Sequence, residues 1–123
     1  MTKEENSKTY DLEERTFAFA KDCRAFIKLV PRTISNIEDC KQLARSSGSQ
    51  AANYIEANES LSRKDYYHRV RICRKEAKES RLWLRLIDIG EKEELQQIAK
   101  KLVQETIELT KIFGKILENE KGK

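Results

Sequence analysis

Proline and glycine are scarce in this sequence, with one proline and four glycines among 123 residues. Because both residue types interrupt helices, their scarcity leaves most of the chain free to be helical. Charged residues make up 37% of the chain, and nothing resembles a signal peptide or the ~20 apolar residues of a membrane span. A chain of this length supports one hydrophobic core. We therefore expect one soluble all-α domain covering residues 1–123.

Groups that usually carry catalysis are also few. The chain has a single histidine, His68, and no C-x-x-C pair among Cys23, Cys40 and Cys73. It lacks the Glu-x-x-His pairs of di-iron bundles and any Gly-rich phosphate loop. Unpaired cysteines fit reduced core thiols and a cytoplasmic location. The sequence predicts no catalytic residue, no metal site and no cofactor, and therefore no enzyme.

Apolar residues recur every three or four positions along four segments, as in helices with one buried face. The predicted helices cover residues 11–30, 34–58, 62–89 and 92–119. Short connections force consecutive helices to run antiparallel, which predicts an up-down-up-down four-helix bundle. Asp11 and Ser62 are the predicted N-caps of the first and third helices, and Gly90 stands where a left-handed residue ends the third.

The same spacing predicts which face of each helix is buried. In the third helix the core positions alternate strictly by four and three, which is the heptad seam of bundles. The predicted core positions, helix by helix, are Phe19, Cys23, Phe26, Ile27 and Val30; Ile37, Cys40, Ala44, Gly48, Ala51 and Ile55; Tyr66, Val70, Cys73, Ala77, Ser80, Leu84 and Ile87; and Leu95, Ile98, Leu102, Leu109, Ile112 and Ile116.

Small side chains are concentrated in residues 42–57, around Gly48. Glycine disfavours helix by about 1 kcal/mol relative to alanine, so either the helix breaks there or a neighbour approaches too closely for a larger side chain. The unbroken periodicity favours close approach, and we expect the third helix to be that neighbour. Polar residues flank this stretch, and we expect Arg45 to pair with Glu76 or Glu79 and so to set helix register. The full predicted polar cluster is Arg45, Asn53, Glu56, Glu76 and Glu79.

The carboxyl-terminal end of the third helix is apolar nearly all round. A helix in a four-helix bundle normally keeps one solvated face, so a second apolar stripe indicates burial against another subunit. The predicted oligomer contacts are Leu82, Trp83, Leu86 and Ile89.

Basic residues of the third helix follow the same three-four spacing as its core. Residues 63–85 hold nine basic and three acidic side chains, a surplus of six against +4 for the whole chain. A cationic row, roughly 20 Å long from Arg71 to Arg85, could bind phosphates of RNA or DNA, with Tyr67 in line to stack on a base. We call this row the basic stripe; it comprises Lys64, Arg71, Arg74, Lys78, Arg81 and Arg85.

The alternative is a solvated face without a nucleic-acid partner. In that case the stripe pairs with carboxylates of the fourth helix or of a neighbouring subunit. The candidate partners are Glu91, Glu93, Glu94, Glu105 and Glu108.

Three segments resemble one family: YDLEERTF at 10–17, QLARSSGSQAANYIEA at 42–57 and KEAKESRLWL at 75–84. The family is that of bacterial four-helix-bundle proteins encoded in intervening sequences of 23S rRNA genes, also labelled a ribosomal protein family. The resemblance implies a four-helix bundle, a homo-oligomeric ring of five and no established enzymatic activity. The chain more distantly resembles the accessory variability determinant protein of diversity-generating retroelements. That resemblance implies a pentameric, positively charged form that binds nucleic acid and a reverse transcriptase.

These observations predict a non-enzymatic, homo-oligomeric binding or scaffold module. In one interpretation it binds RNA or DNA through the basic stripe. In the other it is a structural adaptor for a protein partner and does not bind nucleic acid.

Overall fold

A computed structural model describes the backbone of residues 3–121 and the side chains of residues 12–120. Within this part the chain forms four helices, α1 (Lys3–Ile27), α2 (Ile34–Asn58), α3 (Arg63–Leu86) and α4 (Glu93–Lys121). Helices α1 and α3 each pack against both α2 and α4. The predicted all-α four-helix bundle is therefore confirmed. No helix in the described residues combines the length and the apolar content that a membrane span requires.

Several helix ends differ from the predicted ones. Helix α1 begins at Lys3, so Asp11 lies inside the helix and is not its N-cap; the side chains of residues 10 and 11 lie outside the described part. The predicted cap at Ser62 is confirmed, because its hydroxyl accepts a hydrogen bond from Asp65 N at 3.0 Å. Helix α3 ends at Leu86, and Gly90 has the expected left-handed φ of 69° but lies in the loop that follows.

The predicted buried faces of α1 and α3 largely match the observed core. Phe19, Cys23 and Phe26 of α1 and Val70 and Cys73 of α3 are almost inaccessible to solvent. These positions are apolar and regularly spaced, so periodicity identifies them directly.

The predicted face of α2 is wrong except at Cys40, which is buried. Ile37 and Ile55 are exposed, whereas Leu43, Ser46 and Gln50 are fully buried. Helix α2 packs between α1 and α3, and hydrogen bonds allow its polar side chains to be buried there. The Ser46 and Ser80 hydroxyls lie 2.7 Å apart, and Gln50 Nε2 donates to Thr16 O at 2.8 Å.

Helix α2 passes through Gly48 without a break. A Cβ atom added there would lie 3.1 Å from Arg24 Nη2, so a neighbouring group does approach closely, but it is the end of a long side chain. The neighbour is Arg24 of α1, however, and not α3. Its guanidinium lies over the glycine because Nη2 donates to Ala44 O at 3.1 Å and Nη1 donates to Ser47 Oγ at 3.3 Å.

The core seam of α4 matches the predicted one at Leu95, Leu102 and Leu109 and differs from it elsewhere. Three predicted positions, Ile98, Ile112 and Ile116, pack only at the edge of the core. Thr106 takes a buried position because its hydroxyl donates to Val103 O at 2.6 Å. The buried residues of α4 are Leu95, Ala99, Leu102, Thr106, Leu109, Phe113 and Leu117.

Candidate nucleic-acid interface

All six residues of the basic stripe lie on the exposed surface of α3. Their three-four spacing follows one side of the helix, while the seam that includes Ala77 and Leu84 faces the core. Arg71 forms an ion pair with Glu120 of α4. The other five make no hydrogen bond or ion pair within the described part of the chain: Lys64, Arg74, Lys78, Arg81 and Arg85.

The predicted pairing of this stripe with carboxylates near the start and middle of α4 is not observed among residues 12–120. Glu105 instead pairs with Arg15 of α1, whose Nε and Nη2 lie 2.7 and 2.9 Å from the two carboxylate oxygens. Glu108 accepts a hydrogen bond from Gln104 Nε2 at 2.9 Å. In the described residues, Glu91, Glu93 and Glu94 form no hydrogen bond or ion pair with the stripe. The stripe is therefore neutralised only at Arg71 in the described residues.

Helix α4 contributes cations that were not predicted as part of the interface. A groove of about 540 Å³ lies between α3 and α4, where Lys111 and Lys115 face Arg71 and Arg74. Gly114 lies between the two lysines, and a Cβ atom added to it would meet no atom within 4 Å. The i,i+4 lysine pair around a glycine was the available sequence signal. The sequence does not show that this lysine pair lies next to the basic stripe, because that depends on which helix packs beside α3.

This α3–α4 groove continues along the outside of α3. A second depression of about 380 Å³ shares Arg71 and Arg74 and extends past Lys75 and Lys78 to Leu82. The two depressions adjoin at Arg71 and Arg74, and we call them together the track; cations line both, beside the carboxylates of Glu79, Glu118 and Glu120. A track of this kind can bind a chain of phosphates, because each cation can meet a separate anionic oxygen.

The suggestion that Tyr67 stacks on a base does not fit its environment. Tyr67 is only 7% exposed, and its ring packs edge-on against Tyr66 with 5.1 Å between centroids. The Arg63 guanidinium covers the ring at 4.9 Å, and its Nη2 donates to the Tyr67 hydroxyl at 3.3 Å. Neither depression is lined by an aromatic residue. The track therefore offers contacts to phosphate rather than to bases.

The predicted polar cluster divides into two groups along the contact between α2 and α3. Arg45 Nη2 lies 3.4 Å from a carboxylate oxygen of both Glu76 and Glu79, so the predicted pairing is present. Glu76 is 4% exposed, and Arg45 and Lys75 are its cationic neighbours. The ion pairs at the contact between α2 and α3 thus account for the presence of Glu76 and Glu79 in this apolar setting.

Asn53 and Glu56 do not join Arg45, contrary to the prediction. They contact Arg69, whose Nη1 donates to Asn53 Oδ1 at 2.9 Å and whose Nη2 lies 3.1 Å from Glu56 Oε1. The reason is geometric: an antiparallel α3 places Arg69 beside the later turns of α2. The two polar groups therefore connect α2 and α3 at two different positions along the helices.

The four predicted oligomer contacts do not form one exposed surface. Leu82 and Leu86 are 45% and 54% exposed. Trp83 and Ile89 instead pack against the core of their own subunit. Trp83 Nε1 is buried without a hydrogen-bond partner among the described residues. Only the two leucines are thus available as an outward apolar pair.

The buried thiols are poorly suited to nucleophilic chemistry. Burial raises the pKa of both Cys23 and Cys73 to about 12, so both thiols are protonated at neutral pH. His68 is exposed at the start of α3. No group of three histidine, cysteine or carboxylate side chains in the described residues is placed to hold a metal ion.

No protein-family model matches this chain, and no curated protein matches it. Its structure is similar to the crystal structure of a protein of unknown function from the S23 ribosomal protein family of Bacteroides thetaiotaomicron. The two share 25% sequence identity over 85% of this chain and 96% of the other, with a TM-score of 0.70. In fold and in sequence, the chain is thus similar to a member of the S23 ribosomal protein family whose own function is unknown.

Proposed function

We propose that this protein is a non-enzymatic binding module that contacts the phosphates of RNA or DNA through the basic stripe of α3. One observation carries the proposal: five of the six cations in the stripe are exposed and have no partner within the described residues. A row of like charges raises the local potential and attracts a polyanion. Binding would release counterions, so its affinity should fall steeply with salt.

The character of the track predicts the mode of binding. Six of its lining residues are cationic, three are carboxylates and none is aromatic, so contacts to phosphate should dominate over contacts to bases. The distant resemblance to the accessory variability determinant protein, which implies nucleic-acid binding by a positively charged oligomer, supports the proposal. Because phosphate contacts carry no sequence information, we expect the affinity for nucleic acid to depend weakly on base sequence.

We also propose a cytoplasmic location. The buried thiols are consistent with a reducing, cytoplasmic compartment.

The test is a charge-reversal variant of the stripe, Arg74→Glu, Lys78→Glu, Arg81→Glu. Labelled RNA and DNA oligonucleotides would be titrated at about 50 mM and about 200 mM salt. We expect the variant to bind at least about tenfold more weakly at the lower salt, with a shallower salt dependence, because fewer counterions are released.

A matched variant separates the stripe from overall charge. Lys28→Glu, Arg32→Glu, Lys41→Glu makes the same change in net charge at exposed positions near the connection between α1 and α2. This control should bind nearly as well as the wild type. Equal losses in the two triple variants, or no binding by the wild type at low salt, would contradict the proposal. Light scattering would establish that all three proteins keep the same mass.

We also propose that the protein self-associates, with Leu82 and Leu86 as contacts. Support comes from their exposure on adjacent turns of α3 and from the family resemblance, which implies a ring of five. Repetition of the track in an oligomer would increase affinity through avidity. In the alternative function, the oligomer is an adaptor for a protein, and acidic groups of a neighbouring subunit neutralise the stripe.

Self-association is tested by the variant Leu82→Ser, Leu86→Ser in multi-angle light scattering. We expect the wild type to have an oligomeric mass and the variant a smaller one, because apolar contact area is lost. The control is Ile34→Ser, Leu61→Ser, which removes two apolar side chains that are 87% and 102% exposed. Its mass should equal that of the wild type. A monomeric wild type at micromolar concentration would refute the proposal.

A further inference from the structure

The α3–α4 groove already contains an anion supplied by the chain itself. The carboxylate of Glu120 contacts Arg71 Nη2, and both residues line the groove. Their side chains are partly exposed, at 35% for Glu120 and 47% for Arg71. The ion pair thus lies within reach of a ligand that enters the groove from solvent.

We propose that Glu120 is an internal competitor for phosphate, so that the end of α4 limits the affinity of the groove for nucleic acid. This regulatory role rests on the nucleic-acid binding proposed above. A guanidinium recognises carboxylate and phosphate oxygens through the same N–H donors. The Arg71 donor that contacts Glu120 would otherwise be available to a phosphate.

The rest of the groove contains three further cations and one further carboxylate, that of Glu118. Arg74, Lys111 and Lys115 line it and have no hydrogen-bond or ion-pair partner among the described residues. Open space beside Gly114 leaves room between the two lysines. A phosphate that displaced Glu120 from Arg71 would therefore also meet these unpaired cations.

The position of Glu120 in α4 makes its displacement easy. It lies in the last turn of a helix that ends at Lys121, where the negative end of the helix dipole disfavours a carboxylate. Ion pairs exposed to this degree contribute little to stability because water screens them. The contact is thus weak enough to open when a stronger anion arrives.

The experiment compares Glu120→Gln with Glu118→Gln. Both substitutions remove one negative charge from a residue that lines the groove, but only Glu120 pairs with Arg71. The probe is a labelled single-stranded RNA of mixed sequence at about 50 mM salt. We expect Glu120→Gln to raise affinity about two- to fivefold, the range of a released surface ion pair. Glu118→Gln should raise affinity by a smaller factor.

A second comparison places Glu120→Gln in an Arg71→Gln background. Because Glu120 competes for Arg71, the gain in RNA affinity from Glu120→Gln should be smaller in this background. It should equal the gain from Glu118→Gln. Equal gains in affinity for the two single variants, or a full gain without Arg71, would overturn the proposal.

The outcomes also separate this proposal from the proposed function. If the wild type binds RNA and the stripe triple variant does not, an unchanged affinity of Glu120→Gln overturns only this regulatory role. Absence of binding by every variant would refute the proposed function itself. Thermal melts would confirm that the folded fraction is the same throughout.

Discussion

Replacing Phe113 with alanine should lower the free energy of unfolding by about 3–5 kcal/mol. Phe113 is fully buried in α4, and its ring lies 6.2 Å from the ring of Tyr54 in α2. The substitution removes apolar contacts and leaves a cavity that neighbouring helices cannot fully close. Burial also raises the pKa of Tyr54 to about 12, as expected for a hydroxyl in the apolar surroundings that Tyr54 shares with Phe113. Urea denaturation at fixed protein concentration would measure the change.

Ile116→Ala is the matched control, because Ile116 lies on the face of α4 that was predicted from the sequence to be buried. Its side chain packs only at the edge of the core, so we expect a loss of about 1–2 kcal/mol. If Ile116→Ala destabilised the protein more than Phe113→Ala, the predicted seam rather than the observed one would be the core of α4. Light scattering would show whether either substitution alters the oligomeric mass.

Replacing Asn36 with alanine should lower the free energy of unfolding by about 3 kcal/mol. Asn36 is 1% exposed at the start of α2. Its Nδ2 donates to Pro31 O at 2.9 Å and to Asp88 O at 2.8 Å, and its Oδ1 accepts from Asp88 N at 2.9 Å. One side chain thus joins the connection before α2 to the loop after α3. Alanine would leave backbone groups of both segments without these partners.

Ser35→Ala is the control for this second substitution. Ser35 is exposed in the same turn, so its replacement should change stability by less than about 0.5 kcal/mol. Thermal and urea unfolding of the two variants would be compared with the wild type. A loss below about 1 kcal/mol for Asn36→Ala would show that water replaces the three hydrogen bonds.

Periodicity was sufficient where buried positions are apolar. Phe19 and Phe26 in α1, and Val70 and Leu84 in α3, are both apolar and regularly spaced, and all four are buried. The cap at Ser62 was also predictable, because it depends on the residues that follow it in the chain. The exposed cations of α3 could be located by spacing from the same seam.

Periodicity failed where polar side chains are buried or where several apolar faces compete. In α2, Ser46 and Gln50 are buried because α3 and α1 supply hydrogen-bond partners, and these partners are distant in sequence. In α4, Ile112 and Phe113 both offer an apolar face. Contact with α2 through Tyr54 accompanies burial of Phe113. Such choices depend on neighbours, which a local pattern does not specify.

The amino-acid sequence by itself therefore determined the number and kind of helices, their antiparallel order and the presence of a basic stripe, because each depends on residues close together in the chain. Tertiary structure decided which polar side chains are buried and which stripe cation is neutralised. It also placed Lys111, Lys115 and Glu120 beside Arg71 and Arg74. The physical reason is that packing and electrostatic contacts act between residues up to 90 positions apart, as Arg15 and Glu105 are, and only the assembled bundle brings them within reach.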